Sequence, residues 1–273
     1  MKKVFFVLSV CILLAPSCRN RGVRPPQQKE PHIVTAKEEM ISKDLQLNVQ
    51  NLMESAKGMK PLEFVKKDGD GIVALSDKEK MVKPDYLLSP SLASKAVTLA
   101  QKYSILEMLC VDRIVMELYD MPTGETDAQL ARLLADINDP AMQTYVSSER
   151  NSGCAFSAEA HSKLVEDEYN SNRANFFWQG ESAALVETMY ILTRDVDRFL
   201  PAFDDKMVAD ITFDFICIHD NLLSLIEFYP DMQSLNEVLS PLYVINAISV
   251  PQLKEQLLAV KSDIEKIREY LIQ

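Results

Sequence analysis

The chain reads as an all-α protein, a multi-helix bundle carrying one small β-hairpin. Three observations predict this. N-cap residues and capping boxes recur directly ahead of apolar runs, which is how helices announce their starts. Within those runs the apolar residues return every three or four positions, the period of one helix face. Leu62 to Ser76 departs from that period: two short runs flank Asp68-Gly69-Asp70-Gly71, so a hairpin is expected at about 62–76. No repeat of solenoid length is visible, which favours a bundle over a superhelix.

The elements follow in order. Thr35-Ala36-Lys37-Glu38 is a capping box, and Ile41, Leu45, Val49, Leu52 and Ala56 continue the helix it opens. Ser89-Pro90 is expected to cap a long helix reaching about Asp120, Thr126 to Gln129 to open another, and Asp139-Pro140 a third. Further helices are expected from about Ser157 to Asn172, Ser182 to Leu200, Asp205 to Tyr229 and Asp231 to Leu239. The last opens at Ser249 to Gln252 and sets Leu253, Leu257, Val260, Ile264, Ile267 and Leu271 on one stripe, too short for a lasting coiled coil and expected to dock on its own bundle. Glu107, Asp112, Arg113 and Glu117 interrupt the most apolar helix as a charged edge, and Glu187, Arg194 and Arg198 read as a solvated face.

Ahead of the helical domain, Lys2 and Lys3 precede an apolar stretch from Val4 to Ala15. A membrane-crossing helix needs about 20 apolar residues, so the stretch reads as a signal peptide, residues 1–17, and not as a retained anchor. Leu14-Ala15-Pro16-Ser17-Cys18 resembles the lipobox of bacterial lipoproteins. The resemblance covers the first eighteen residues and implies lipid attachment at Cys18, with export to the cell envelope; it implies no activity. Simple secretion with an ordinary thiol at Cys18 is the alternative. Residues 18–33, including the polar, basic and proline-containing Arg19 to Pro31, read as a tether, and 34–273 as the helical domain.

Composition narrows the functions. The chain holds 29 Lys plus Arg against 40 Asp plus Glu, a net charge of −11, which argues against nucleic-acid binding because that depends on neutralising phosphates. Of five cysteines, Cys11 leaves with the signal peptide and Cys18 is assigned to lipid; Cys110 and Cys217 fall in apolar helical runs, and Cys154 sits in a loop. That distribution gives no disulfide framework.

The catalytic and metal-binding constellations are sparse. Asp68, Asp70 and Glu79 match positions 1, 3 and 12 of a calcium loop, but Ile72 and Val73 stand where an oxygen ligand and a glycine are needed. Three histidines, His32, His161 and His219, make no metal motif, and neither a GxSxG elbow, an SxxK pair nor a phosphate-cradling glycine loop occurs. No metal or cofactor is expected. Cys154 and His161 are the one Cys/His pair that a loop and a helix start bring together, the minimum for a thiol hydrolase, with His161 otherwise read as exposed. His219 falls on the apolar side of its helix with Ile211, Phe215 and Leu222, opposite Asp210, Asp214 and Asn221; it is a candidate ligand contact or a satisfied core histidine. Phe176, Phe177 and Trp178 are placed at a helix mouth, either as a binding surface or as filling between helices.

The expected function is therefore an envelope-anchored lipoprotein with a non-enzymatic helical interaction or assembly domain and an envelope protein as partner. The alternatives are a small-molecule, peptide or glycan binding module, or a thiol hydrolase using Cys154 and His161.

Overall fold

A computed structural model describes residues 36–59, 73, 75–151 and 157–273, with the backbone alone at 36–46 and 148–151. It divides into two units, Met1–Lys43 and Asp44–Gln273. Of the first, residues 36–43 are described, and they are helical. The second is the body.

The described residues form twelve α-helices and no strand: α1 (Ala36–Lys57), α2 (Asp77–Lys80), α3 (Leu99–Leu118), α4 (Gly124–Ile137), α5 (Pro140–Asn151), α6 (Ala158–Asn170), α7 (Ala174–Arg194), α8 (Val196–Phe199), α9 (Asp205–Leu225), α10 (Met232–Leu239), α11 (Val250–Ala259) and α12 (Lys261–Ile272). Single 3-10 turns at Pro90–Ser94, Leu200–Ala202 and Ser240–Val244 link them. The all-α architecture is as the helical periodicity predicts. The expected hairpin lies outside the described residues except for Val73, Leu75 and Ser76.

α3 and α7 pair along the centre of the body, and α12, α4 and α9 pack around that pair. Gly180 of α7 makes the approach possible. A Cβ at this position would stand 3.0 Å from the Glu107 side chain and 3.8 Å from the Tyr103 carbonyl, so a larger residue would force the Glu107 side chain to give way. The contact buries Tyr103, Leu106 and Leu109 of α3 with Phe177, Ala183 and Val186 of α7. The terminal stripe does dock on the body: Leu253, Leu257, Val260, Ile264, Ile267 and Leu271 are all buried.

Several helix starts fall elsewhere than the sequence suggests. Ser89-Pro90 begins only the 3-10 turn, and α3 starts at Thr98, whose hydroxyl accepts the Gln101 N–H while the Gln101 side chain receives the Thr98 N–H. The motif Thr98-Leu99-Ala100-Gln101 is itself a capping box. α4 begins at Gly124, and Thr126 is buried inside its first turn with its hydroxyl on the Met116 sulfur. α7 begins at Ala174, eight residues before the expected Ser182; its N-cap residue, Arg173, makes no side-chain cap and instead donates across to Asp139 and Tyr103. It stops at Asp195, short of Leu200, and α9 stops at Leu225, short of Tyr229. The last helix breaks at Val260 into α11 and α12.

Asp139 and Ser157 cap α5 and α6 as expected, through the Ala141 and Met142 N–H groups and the Ala160 N–H respectively. Asp120, Asn138 and Asn172 adopt positive φ just after α3, α4 and α6. Short polar side chains tolerate that conformation and turn the chain out of the helix.

Candidate functional site

The buried interior of the body is unusually ionic, and two carboxyl clusters dominate it. The first joins α3, α5, α6 and α7. Asp139 accepts the Tyr103 hydroxyl at 2.5 Å and the Arg173 guanidinium at 3.1 Å with one oxygen, and caps α5 with the other. Facing it is Glu168 of α6, fully buried, with no N–H or O–H donor on either oxygen among the described residues. Two facing carboxyls are satisfied only when one holds a proton. Burial, then hydrogen bonding and repulsion from Asp139, push Glu168 up to about 9. Burial also disfavours the charge on Asp139, but hydrogen bonds from Glu168, Tyr103 and the α5 amides outweigh it and hold that group low. Glu168 is thus the proton carrier and Asp139 the anion.

The second cluster joins α3, α7 and α12. Glu187 receives both arms of the Arg268 guanidinium, at 2.6 and 2.7 Å. Asp112 lies beside Glu187 and accepts the Leu88 N–H at 2.6 Å. Burial and then the Glu187 charge raise Asp112 well above the usual carboxylate range, against the Leu88 N–H and Arg268. Sequence reading places Glu187 on a solvated face and Asp112 on a charged edge; both are buried. The partner that makes Glu187 an interior group lies 81 residues further on.

The expected binding residues are distributed differently again. Asn175 to Gly180 stand at the start of α7 as its first two turns, helical and not a loop ahead of it, and both Phe177 and Trp178 are buried. Phe176 is half-buried and stacks on Tyr103 at 5.5 Å between centroids. Trp178 heads a hydrogen-bond relay: its indole N–H donates to the Tyr169 hydroxyl (2.9 Å), Tyr169 to Asn221 (3.2 Å), Asn221 to the Ser55 hydroxyl (2.9 Å) and Ser55 to the Leu52 carbonyl (2.8 Å).

His219 does not sit in the α9 core stripe. It is half-exposed, 3.2 Å from the Asp220 carboxylate and 4.3 Å between ring centroids from Tyr243, while Asp214 and Asn221, assigned to the opposite side, are buried. The cavity next to Tyr243 holds about 10 Å³, no more than a single water.

Compared with known proteins, the chain matches no family model, no curated protein and no solved structure.

Cys18 and Cys154 lie outside the described residues, as do Asp68 and Asp70. His161 is fully buried and not exposed, between the Tyr145 and Phe177 rings, with Nε2 3.6 Å from a Glu181 oxygen. A thiol hydrolase needs that imidazole within hydrogen-bond reach of the Cys154 thiol. Glu79 is engaged in the α2 cap, its carboxylate accepting the Ser76 N–H at 2.9 Å. Cys217 donates to the Ser55 carbonyl at 3.7 Å, and burial pushes its thiol up to about 12, so it is no nucleophile near neutral pH. Cys110 is half-buried against the core.

Two outward features of the body bear on binding. On α9, Phe213, Ile216 and Leu223 are 42%, 53% and 48% exposed, and their spacing puts them on one outer face. At the start of α11 an open groove of about 450 Å³ is lined by Asn246, Ile248, Gln252, Glu255, Gln256 and Ala259. Neither feature was singled out from the sequence, where exposed apolar residues and core residues look alike.

Proposed function

We propose that this chain is an exported bacterial lipoprotein, held in the cell envelope by lipid on Cys18, whose helical body is a non-enzymatic interaction or assembly module. The observation that carries it is Ala15-Pro16-Ser17-Cys18 directly after a short apolar run led by two lysines. Among the described residues no helix is long and apolar enough to cross a membrane. In its support, the buried acids of the body are engaged with one another and with arginines between packed helices, and the outer face of α9 presents three large apolar side chains to a partner.

The groove beside α11 favours the second reading, a binding module. Its lining is amide-rich and contains no aromatic ring, which suits a peptide backbone better than the stacking face of a sugar.

Two experiments test these readings. Fatty-acid labelling is expected in the wild type and not in Cys18→Ala; equal labelling of both refutes the anchoring. Photoreactive residues placed singly at Ile216, Gln252 and the exposed Glu159 of α6 are expected to give a discrete protein adduct from 216 alone. An adduct from 252 would favour the groove instead, and identical adducts from all three would refute a defined docking face.

A further inference from the structure

The C-terminal helix is fastened to the body by a group of ionisable residues whose charges do not balance. Arg268 is the cation of this group, reaching Glu187 through two hydrogen bonds and the Tyr86 carbonyl through a third at 3.2 Å. Its guanidinium lies 3.9 Å above the Tyr190 ring of α7. Against it stand two buried carboxyls, Asp112 and Glu187. One Asp112 oxygen is occupied by the Leu88 N–H, and the other meets no N–H or O–H donor among the described residues. Among the described residues no second cation is bonded to either carboxyl: α7 contributes Glu187 and Tyr190, the segment before the 3-10 turn contributes Tyr86, and Pro90–Ser94 contributes no ionisable side chain. On α4, Asp127 pairs with Arg113 at 2.7 Å; on α7, Arg194 faces the Tyr86 and Tyr190 rings from 5.9 and 6.0 Å and pairs with Glu265 at 4.0 Å, so its charge is directed to Glu265 and not to the two carboxyls.

We propose that Asp112, Glu187 and Arg268 form a proton-operated latch on α12. With one proton between the two carboxyls, Asp112 donates to Glu187, one negative charge faces one positive charge, and α12 is held. When that proton leaves, two carboxylates share one guanidinium in a buried site, the surplus charge is relieved by admitting water, and α12 loosens from α3 and α7. The direction follows from the raised Asp112: its contribution to stability is complete below its unfolded pKa and is lost as pH rises through the folded one.

The test is amide hydrogen exchange on the full chain at several pH values from 6.5 to 9.5, expressed as protection factors and compared between α12 and α4. In the wild type, α12 protection is expected to fall roughly ten-fold or more relative to α4 across this range. Loss of stability arising at Glu168 lowers both helices together, so the comparison separates it. Asp112→Asn keeps the acceptor for Leu88 and a donor for Glu187 but cannot ionise, and is expected to hold α12 at every pH. Glu187→Gln removes the bidentate contact and one acid, and is expected to leave α12 loose with no pH dependence. If α12 and α4 lose protection in parallel in the wild type, or if Asp112→Asn keeps the wild-type profile, the latch is refuted; the wild-type comparison decides the matter even if a variant fails to fold.

Discussion

Replacing Glu168 with Gln should stabilise this protein at neutral pH, against the usual direction of a change at a fully buried residue. In the folded state Glu168 keeps its proton up to about 9, whereas in the unfolded chain it ionises near 4.5. Between those values folding must take up a proton, at about 1.4 kcal/mol for each pH unit. The sign is that of a raised acid: the full contribution is present below about 4.5 and declines steadily towards 9. At pH 7 the accumulated cost is on the order of 3 kcal/mol. Gln carries no such cost, and its amide still donates to Asp139. The assay is urea denaturation of both proteins at pH 4.5, 7 and 8.5. Near-equal stability is expected at the lowest pH, with the variant ahead by about 2 to 3 kcal/mol at pH 7 and by more at 8.5. A difference that stays constant with pH, or a variant weaker by the same margin throughout, would show that Glu168 is not the group holding the proton.

Two further substitutions probe the packing. Trp178→Ala removes the largest buried side chain and the donor to Tyr169, and should cost about 3 to 5 kcal/mol by chemical denaturation, with loss of the folded-state near-ultraviolet dichroism. Gly180→Val places two methyl groups where a Cβ alone would already stand 3.0 Å from Glu107; a loss of about 2 to 3 kcal/mol in stability is expected, and a neutral result would mean that α3 and α7 are not closely seated.

The periodicity of the sequence makes the helices legible, because the 3.6-residue period and the caps at Asp139 and Ser157 are local properties. What could not be read locally is which charges go inside. Glu187 looks like a solvent residue until Arg268 is brought against it, and Asp214 and Asn221 look polar-facing although the buried side of α9 runs through both. That misplaced side also explains His219, which a helical projection sets among apolar neighbours and the fold leaves at the rim beside Tyr243. The same holds for His161: flanked by Glu159 and Lys163 it resembles a surface residue, yet its ring lies between Tyr145 and Phe177. The start of α7 has no Ser/Thr-type cap to read: its N-cap residue is Arg173, whose side chain is held by donating to the distant Asp139 and accepts nothing from the first turn. By contrast, the Thr98 capping box was present in the sequence and was overshadowed by the more conspicuous Ser89-Pro90.

The relay from Trp178 to Leu52 runs in one direction only. An indole can only give a hydrogen and a carbonyl can only receive one, so the hydroxyls of Tyr169 and Ser55 and the amide of Asn221 between them each have a single permitted orientation. A chain of rotatable groups is thereby reduced to one arrangement out of many. Sliding α1 along α9 by a turn would part the Asn221 amide from the Ser55 hydroxyl, leaving that amide one acceptor short, while the bonds on either side of the joint stayed whole. The register between those helices is in this sense marked by one directed hydrogen bond from Asn221 to Ser55.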